Sequence, residues 1–539
     1  MDENLATLLE VVADEAGSTP AVLHGELVRG WADFADRSAR LARHLADHGI
    51  ERGSRVGVAL YNGPEYLEVL FAAMKLRAVP VNVNYRYRET ELRELFHDSG
   101  MAGLVFDSGL AGRIAAVGTE LLVRVEIGGD YERVMTTTEP MPRIERSGDD
   151  EWLMFTGGTT GRPKGVLARH RGLLGIADTN SYALLGKPFP TDLDALAVST
   201  RELLEGPDRL VTVIAPPLMH ATGLYTALST LLCAGTVVFL PSRSFDAGEM
   251  ARTVERHRAT DLCIVGDVFA RPFADALDGG DYDVRSLRRM LSVGVVWSAD
   301  VKERILRHCD ARLRDVLAAS EGGPFAIAVT QRGEHQPTSH FELAPGARVI
   351  DDEGHDVEPG SGQTGYLAAP VSDDVSYLDD PEKTAQTFRT LGGTRYAVPG
   401  DLVRVQSDGS LVLLGRGNRV INTGGEKVFA EEVERVVGEH PAVADVNVVG
   451  LPDERWGERI AAVVAVRPGA ELTADELGEH VGAYLAGYKR PRDIVFVPEV
   501  RRRPTGKSDL AWARTVALRA TQRKEGQAWQ PPSPSESTA

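Results

Sequence analysis

From Ser54 onward, short β-branched runs alternate with helix-patterned stretches, and no other feature narrows the fold so far. SRVGVAL (54–60) is followed by PEYLEVLFAAMKLR (64–77), VPVNVN (79–84) and ETELRELFHDSG (89–100). The rhythm resumes with RLVTVIA (209–215), ATGLYTALSTLL (221–232), TVVFL (236–240), DAGEMARTVERHR (246–258) and DLCIVG (261–266). Parallel strands need a long crossover and a helix supplies it, so this alternation predicts parallel sheets covered by helices. Two separate stretches of it imply two α/β subdomains.

Between Ala347 and Gly415 the texture changes to short strands with Gly, Asp and Pro turns, such as RVIDDEGHDV and LVRVQSDGSLVLL. The Asp408-Gly409 pair reads as a hairpin turn, and the segment as a distorted β-barrel. After Arg416 helical EEVERVVGEH and TADELGEHVGAYL alternate with strand-like VADVNVVG, RIAAVVAVRP and DIVFV. That suits a compact α+β domain of about 100 residues. At 539 residues the chain is too long for one core. The expected organisation is an N-terminal body over 1–416, a small C-terminal domain over 417–524, and a tail over 525–539 that is disordered because PPSPSESTA has almost nothing to bury.

Charge and cysteine usage exclude several classes. The chain has 60 basic and 78 acidic residues, a net charge of -18, which argues against attraction to nucleic acid or anionic lipid. A polyanionic ligand would need a local basic pocket. Three widely separated cysteines, Cys233, Cys263 and Cys309, form neither a disulfide framework nor a zinc spacing. A reducing, cytoplasmic location is expected. MDENLATLLEVVADEA at the start is acidic and amphipathic, without the marks of a secretory signal. The apolar stretch Gly223 to Leu240 is interrupted by Thr226, Ser229, Thr230 and Thr236 and broken by Gly235, so it predicts a buried helix and strand, not a membrane span.

Chemistry concentrates in FTGGTTGRPKGV (155–166), directly after strand-like EWLMF. Glycines, threonines and one lysine in so short a turn offer backbone N–H donors, hydroxyls and a cation, which together suit a polyphosphate. The spacing is not that of a Walker A loop, because Lys164 follows a proline.

The string TGGTTGRPKG (156–165) resembles the phosphate loop of the adenylate-forming superfamily of acyl-CoA synthetases, luciferases and peptide-synthetase adenylation domains. Further segments resemble that family's motifs in the family's order: PPLMHATG (216–223), SEGG (320–323), PGDLVRV (399–405), GRGNRVINTGGEKVFAEEVE (415–434) and RRPTGKSDL (502–510). The wider sequence looks like actinobacterial ligases for steroid or terpenoid carboxylates. The resemblance implies that ATP and a carboxylic acid form an acyl-adenylate, that Mg2+ assists, and that coenzyme A then takes the acyl group.

It also implies roles. Thr156, Gly157, Gly158, Thr159, Thr160, Gly161 and Lys164 would hold the β- and γ-phosphates, and Ser320 and Glu321 would form the acidic motif, with Glu321 on Mg2+. Asp401 and Arg416 would take the ribose. Lys507 would bridge the α-phosphate and the attacking carboxylate. His220, Gly294, Ala319 and Gly322 would line the acyl pocket, whose small residues leave room for a bulky, mostly apolar acid. The C-terminal domain would be mobile, pivoting at Asn418, and Gly424 and Gly425 would admit the pantetheine arm.

Two positions depart from the family pattern. Asn418 stands where Asp or Lys is usual, and Asn tolerates the backbone angles of a pivot. Leu317 stands where an aromatic is common, offering adenine apolar contact without a π-face. The expected partners are the acid, ATP and CoA, with no nucleic acid; a homodimer stays open. The alternative reading is an enzyme of the first half-reaction only, leaving thiolation to a partner enzyme or carrier protein.

Overall fold

Both stretches of alternation fold into sheets whose parallel strands end on loops carrying the motifs. The computed structural model describes residues 3–157, 163–294, 297–334, 340–416, 420–501 and 509–524. It divides into two compact units, one of Met1–Tyr85, Leu92–Thr156 and Pro163–Gly417, the other of Arg86–Glu91, Gly157–Arg162 and Asn418–Ala539.

In the first unit, strands Pro20–His24, Thr236–Phe239, Val211–Ile214, Asp261–Ile264, Arg289–Val293 and Arg312–Ala319 lie side by side and parallel. The ladder then turns antiparallel through Gly322–Thr330 and His340–Leu343 into Leu411–Arg416, Asp401–Val405 and Thr364–Pro370. The Gly- and Asp-rich strands after Ala347 thus continue the hydrogen-bonded path of the parallel sheet. A second sheet places Val123–Ile127, Gly103–Asp107, Arg55–Ala59, Val79–Asn82 and Glu151–Gly157 in that order, followed by Pro163–Arg169 and Ser376–Tyr377. In such sheets sites gather at the carboxyl ends of the strands, where the loops converge.

The stretch that resembled a membrane span is helix Ala221–Leu232 followed by the wholly buried strand Thr236–Phe239. Its hydroxyls are satisfied inside the protein: Thr226 donates to the Thr222 carbonyl at 2.7 Å and Thr230 to the Thr226 carbonyl at 2.9 Å. A polar group so paired is buried at little cost. Among the described residues no helix is long and apolar enough to cross a membrane.

In the second unit strands Gly457–Val466 and Val443–Asp453 form a long antiparallel pair, with Asp493–Val497 parallel beside the former. Helices Ala430–Gly438 and Ala474–Tyr484 cover one face with a core of Val433, Val437, Val446, Val448, Leu477 and Val481. Thr473 starts the second helix with a capping box to Glu476, worth about 1 kcal/mol.

The N-terminal helix Leu5–Ala16 is pinned by a buried polar clasp. His170 Nδ1 accepts the Leu5 N–H at 3.0 Å, and Asp150 takes the Asn4 amide at 2.9 Å and the Arg77 guanidinium at 2.8 Å. Burial pushes His170 down to about 4, against a smaller opposing pull from Asp150. The folded state therefore holds His170 neutral while the unfolded chain takes up a proton near pH 6.5. Its contribution is fully present above pH 6.5 and is lost as pH falls towards 4, by up to about 3 kcal/mol. Thermal melts are expected to show a midpoint that falls over this window, with a shallower fall in His170→Asn; equal slopes would refute the assignment.

Candidate active site

Lys164 lies on strand Pro163–Arg169, and the short strand Ser376–Tyr377 pairs with it at Tyr377↔Val166 and Ser376↔Leu167. This pairing carries two groups to the lysine that the sequence did not single out. Asp380 Oδ2 lies 3.2 Å from Lys164 Nζ, and the Tyr377 ring centroid lies 5.5 Å from it. The Tyr377 hydroxyl donates to Glu321 Oε1 at 2.6 Å. One tyrosine thus touches both the phosphate-loop lysine and the acidic-motif carboxylate.

Local sequence explains each position. Asp380 caps helix Pro381–Thr387, accepting the Lys383 N–H at 2.9 Å, with Pro381 at the first helical position. That N–H, and then Lys164, hold the Asp380 carboxyl below the usual carboxylate range despite some desolvation. Glu321 sits in the tight turn between strands Arg312–Ala319 and Gly322–Thr330, half-buried beside Ser320. The turn needs its glycine: a Cβ on Gly322 would stand 2.6 Å from Val371 Cγ1.

Asp401 opens strand Asp401–Val405 and faces Arg416 across the ladder, so the two residues assigned to the ribose are register partners. Of Arg416 only the backbone is described. His220 is the N-cap residue of helix Ala221–Leu232, half-buried, its N–H on the Pro217 carbonyl at 3.1 Å. Gly294 follows strand Arg289–Val293 and Ala319 ends strand Arg312–Ala319, where it pairs with Gly322. Leu317 is partly buried against the antiparallel core. Thr156 and Gly157 end strand Glu151–Gly157, with Thr156 half-buried. Gly158, Thr159, Thr160 and Gly161 lie outside the described residues, as do Asn418 and Lys507.

In the second unit Gly424 and Gly425 form the turn between strands Val420–Thr423 and Glu426–Phe429. Gly424 has φ 62°, and a Cβ there would meet the Trp456 ring at 2.7 Å. Only glycine lets this turn lie flat on the indole.

The donor set suits Mg2+ chemically. Glu321 offers a hard carboxylate oxygen, and Mg2+ usually takes one or two carboxylates with substrate phosphates and water. A different cluster, Asp351, Glu353 and His355, gathers possible ligand atoms within 4.8 Å on an exposed turn and shares no residue with this site.

Were Lys164 to take a phosphate, its pair with Asp380 would have to give way. With the Asp380 side chain 37% exposed, the pair is worth less than about 1 kcal/mol. Asp380→Asn keeps the capping oxygen and removes the charge. It is expected to lower KM for ATP by up to about fivefold. A rise in KM would show that Asp380 holds Lys164 in its working position.

The AMP-binding enzyme family model matches residues 9–369, and the model for the AMP-binding enzyme C-terminal domain matches 432–507. The chain is 36% identical over 537 residues to a 3-oxocholest-4-en-26-oate--CoA ligase of Rhodococcus rhodochrous, covering 95% of each protein. It is 37% identical over 534 residues to a medium/long-chain-fatty-acid--CoA/3-oxocholest-4-en-26-oate--CoA ligase of Mycobacterium tuberculosis, again covering 95% of each. Among solved structures, the amide bond synthetase McbA of Marinactinospora thermotolerans superposes with TM-score 0.78 at 24% identity, over 94% of this chain and 99% of that one. At that identity the likeness concerns the fold alone.

Proposed function

The chain belongs to the AMP-binding enzyme family, and from that premise we propose that it is an AMP-forming acyl-CoA ligase for a bulky, mostly apolar carboxylic acid. In the first half-reaction a carboxylate oxygen attacks the α-phosphorus of ATP. The bond from that phosphorus to the bridging oxygen breaks, giving acyl-AMP and pyrophosphate. In the second, the deprotonated thiol of CoA attacks the acyl carbonyl carbon and AMP leaves, giving the thioester.

The obstacle in the first step is repulsion between two anions, and placed positive charge is the remedy. The observation that carries the reading is that Tyr377 hydrogen-bonds Glu321 while its ring lies 5.5 Å from Lys164, so that the lysine and the carboxylate gather about one side chain. Lys164 and Thr156 hold the terminal phosphates, and the Tyr377 hydroxyl keeps the Glu321 carboxylate aimed. Glu321 would hold Mg2+, which when bound would supply charge neutralisation and Lewis acidity at the phosphates. Asp401 accepts from the ribose hydroxyls, with Arg416 opposite. The Lys507 assignment rests on the RRPTGKSDL motif. Gly424 and Gly425 serve the pantetheine arm, and CoA itself is the acyl acceptor.

The relatives' names specify a steroid carboxylate and medium- and long-chain fatty acids, which supports an acid of that bulk here. Small residues at the expected pocket agree. Among the described residues, Gly294 and its chain neighbours aside, no atom lies within 4 Å of where a Cβ on Gly294 would stand. Exchange of labelled pyrophosphate into ATP across acetate, octanoate, benzoate and a polycyclic acid, followed by CoA addition and product mass, tests the whole reading. Fastest exchange with the polycyclic or long acid and rapid acyl-CoA formation are expected. Best turnover with acetate or benzoate would remove the bulky acid, and an acyl-AMP pool that persists with CoA present would favour the half-reaction alternative.

A further inference from the structure

Strands Arg55–Ala59 and Val79–Asn82 are parallel neighbours in the second sheet, and an asparagine stands at or just beyond the carboxyl end of each. Neither asparagine belongs to a motif singled out above. Asn82 Oδ1 accepts the Phe155 N–H at 2.7 Å, and Asn82 Nδ2 donates to the Phe155 carbonyl at 2.8 Å and to the Met219 carbonyl at 2.8 Å. With one N–H and two carbonyls as neighbours, the amide has a single orientation that satisfies all three. Asn62 repeats the arrangement: it donates to the Pro216 carbonyl at 2.9 Å and accepts the Leu218 N–H at 2.8 Å.

The partners decide the meaning. Phe155 immediately precedes Thr156 and the phosphate loop, and Met219 immediately precedes His220 and the helix at the expected acyl pocket. The segment Pro216–Met219 follows strand Val211–Ile214 of the other sheet. Asn62 and Asn82 therefore stitch the loop leaving one sheet to strand ends of the other, and Asn82 alone also bonds the strand end that precedes the phosphate loop. Phe155, Leu218 and Met219 are buried, so their backbone groups have little recourse to water.

We propose that Asn82, seconded by Asn62, is a positioning residue for adenylation: its amide sets the spacing between Phe155, at the strand end before the phosphate-loop motif, and Met219, before His220, and hence the in-line approach of carboxylate to α-phosphorus. This deepens the ligase reading and rests on it. Misplacement of reacting groups by about 1 Å costs on the order of a hundredfold in rate. Thiolation of an acyl-AMP already formed makes no such demand, because acid and nucleotide are then one molecule.

Asn82→Asp is the sharpest test. It keeps the acceptor for the Phe155 N–H and replaces two donations with a carboxylate facing two carbonyl oxygens. Pyrophosphate exchange and thiolation of supplied acyl-AMP are measured on the same preparation, so the ratio of the two rates does not depend on how much protein is folded. That ratio is expected to fall about 30- to 100-fold, with KM for ATP changed less than about threefold. A merely structural role would lower both rates together and leave the ratio unchanged, which overturns the proposal. Should Asn82→Asp fail to fold, Asn62→Ala is read by the same ratio, with a fall supporting the clamp and an unchanged value overturning it. Absence of acid-dependent exchange in the unaltered protein would overturn the ligase reading and this proposal with it.

Discussion

Lys507→Ala is expected to lose about 10²–10³-fold in acid-dependent pyrophosphate exchange, while thiolation of supplied acyl-AMP falls by less than about tenfold. The asymmetry follows from charge. Before adenylation the site must hold a triphosphate and a carboxylate together, and a cation aimed at the reacting oxygens is worth most where that charge develops. After pyrophosphate leaves, a single negative charge remains on the acyl-AMP. Lys507→Arg is the informative companion, because it keeps the charge but replaces a compact ammonium with a planar fork. Partial recovery of exchange by arginine would show that charge contributes beyond shape. Exchange by Lys507→Ala at the unaltered rate would remove Lys507 from the chemistry.

Glu321→Gln is expected to lower kcat for exchange about a hundredfold and to raise the Mg2+ concentration for half-maximal rate at least about tenfold. Glutamine retains an oxygen that can accept the Tyr377 hydroxyl, so the turn between strands Arg312–Ala319 and Gly322–Thr330 should survive. Tyr377→Phe makes the complementary cut, leaving the carboxylate and removing the donor that aims it. It is expected to shift the Mg2+ requirement in the same direction by about tenfold, with little change in kcat once Mg2+ is saturating. A Mg2+ titration of the two variants separates loss of a ligand from loss of its orientation. An unchanged Mg2+ requirement in Glu321→Gln would refute the metal assignment.

Much of the architecture was legible because its signals are local. The Gly223–Leu240 stretch announced a buried helix and strand through its interrupting hydroxyls and Gly235, and helix Ala221–Leu232 with strand Thr236–Phe239 is the result. The Asp408-Gly409 turn joins strands Asp401–Val405 and Leu411–Arg416, with Asp408 Oδ1 accepting the Ser410 N–H at 2.9 Å. The hairpin register then sets Asp401 opposite Arg416.

Other parts of the site carried no signal that reading along the chain could use. Nothing in the local sequence around Asp380 named Lys164 as a partner 216 positions away. Tyr377 lies outside every motif quoted from the sequence. Asn62 and Asn82 lie at ordinary strand ends, and their side chains differ from any other surface asparagine only in what the fold sets beside them.

The alternation of strands and helices along the chain and the family's sequence of motifs were determined by the amino-acid sequence alone. Such features depend on backbone preference, apolar periodicity and residue type over a few consecutive positions. Only the tertiary structure decided that the Tyr377 hydroxyl finds Glu321, and that the Asn62 and Asn82 amides tie the Pro216–Met219 loop of one sheet to strand ends of the other. Those hydrogen bonds depend on which strand ends become neighbours, and strand pairing is settled by burial across the whole unit rather than by the residues that make the bond.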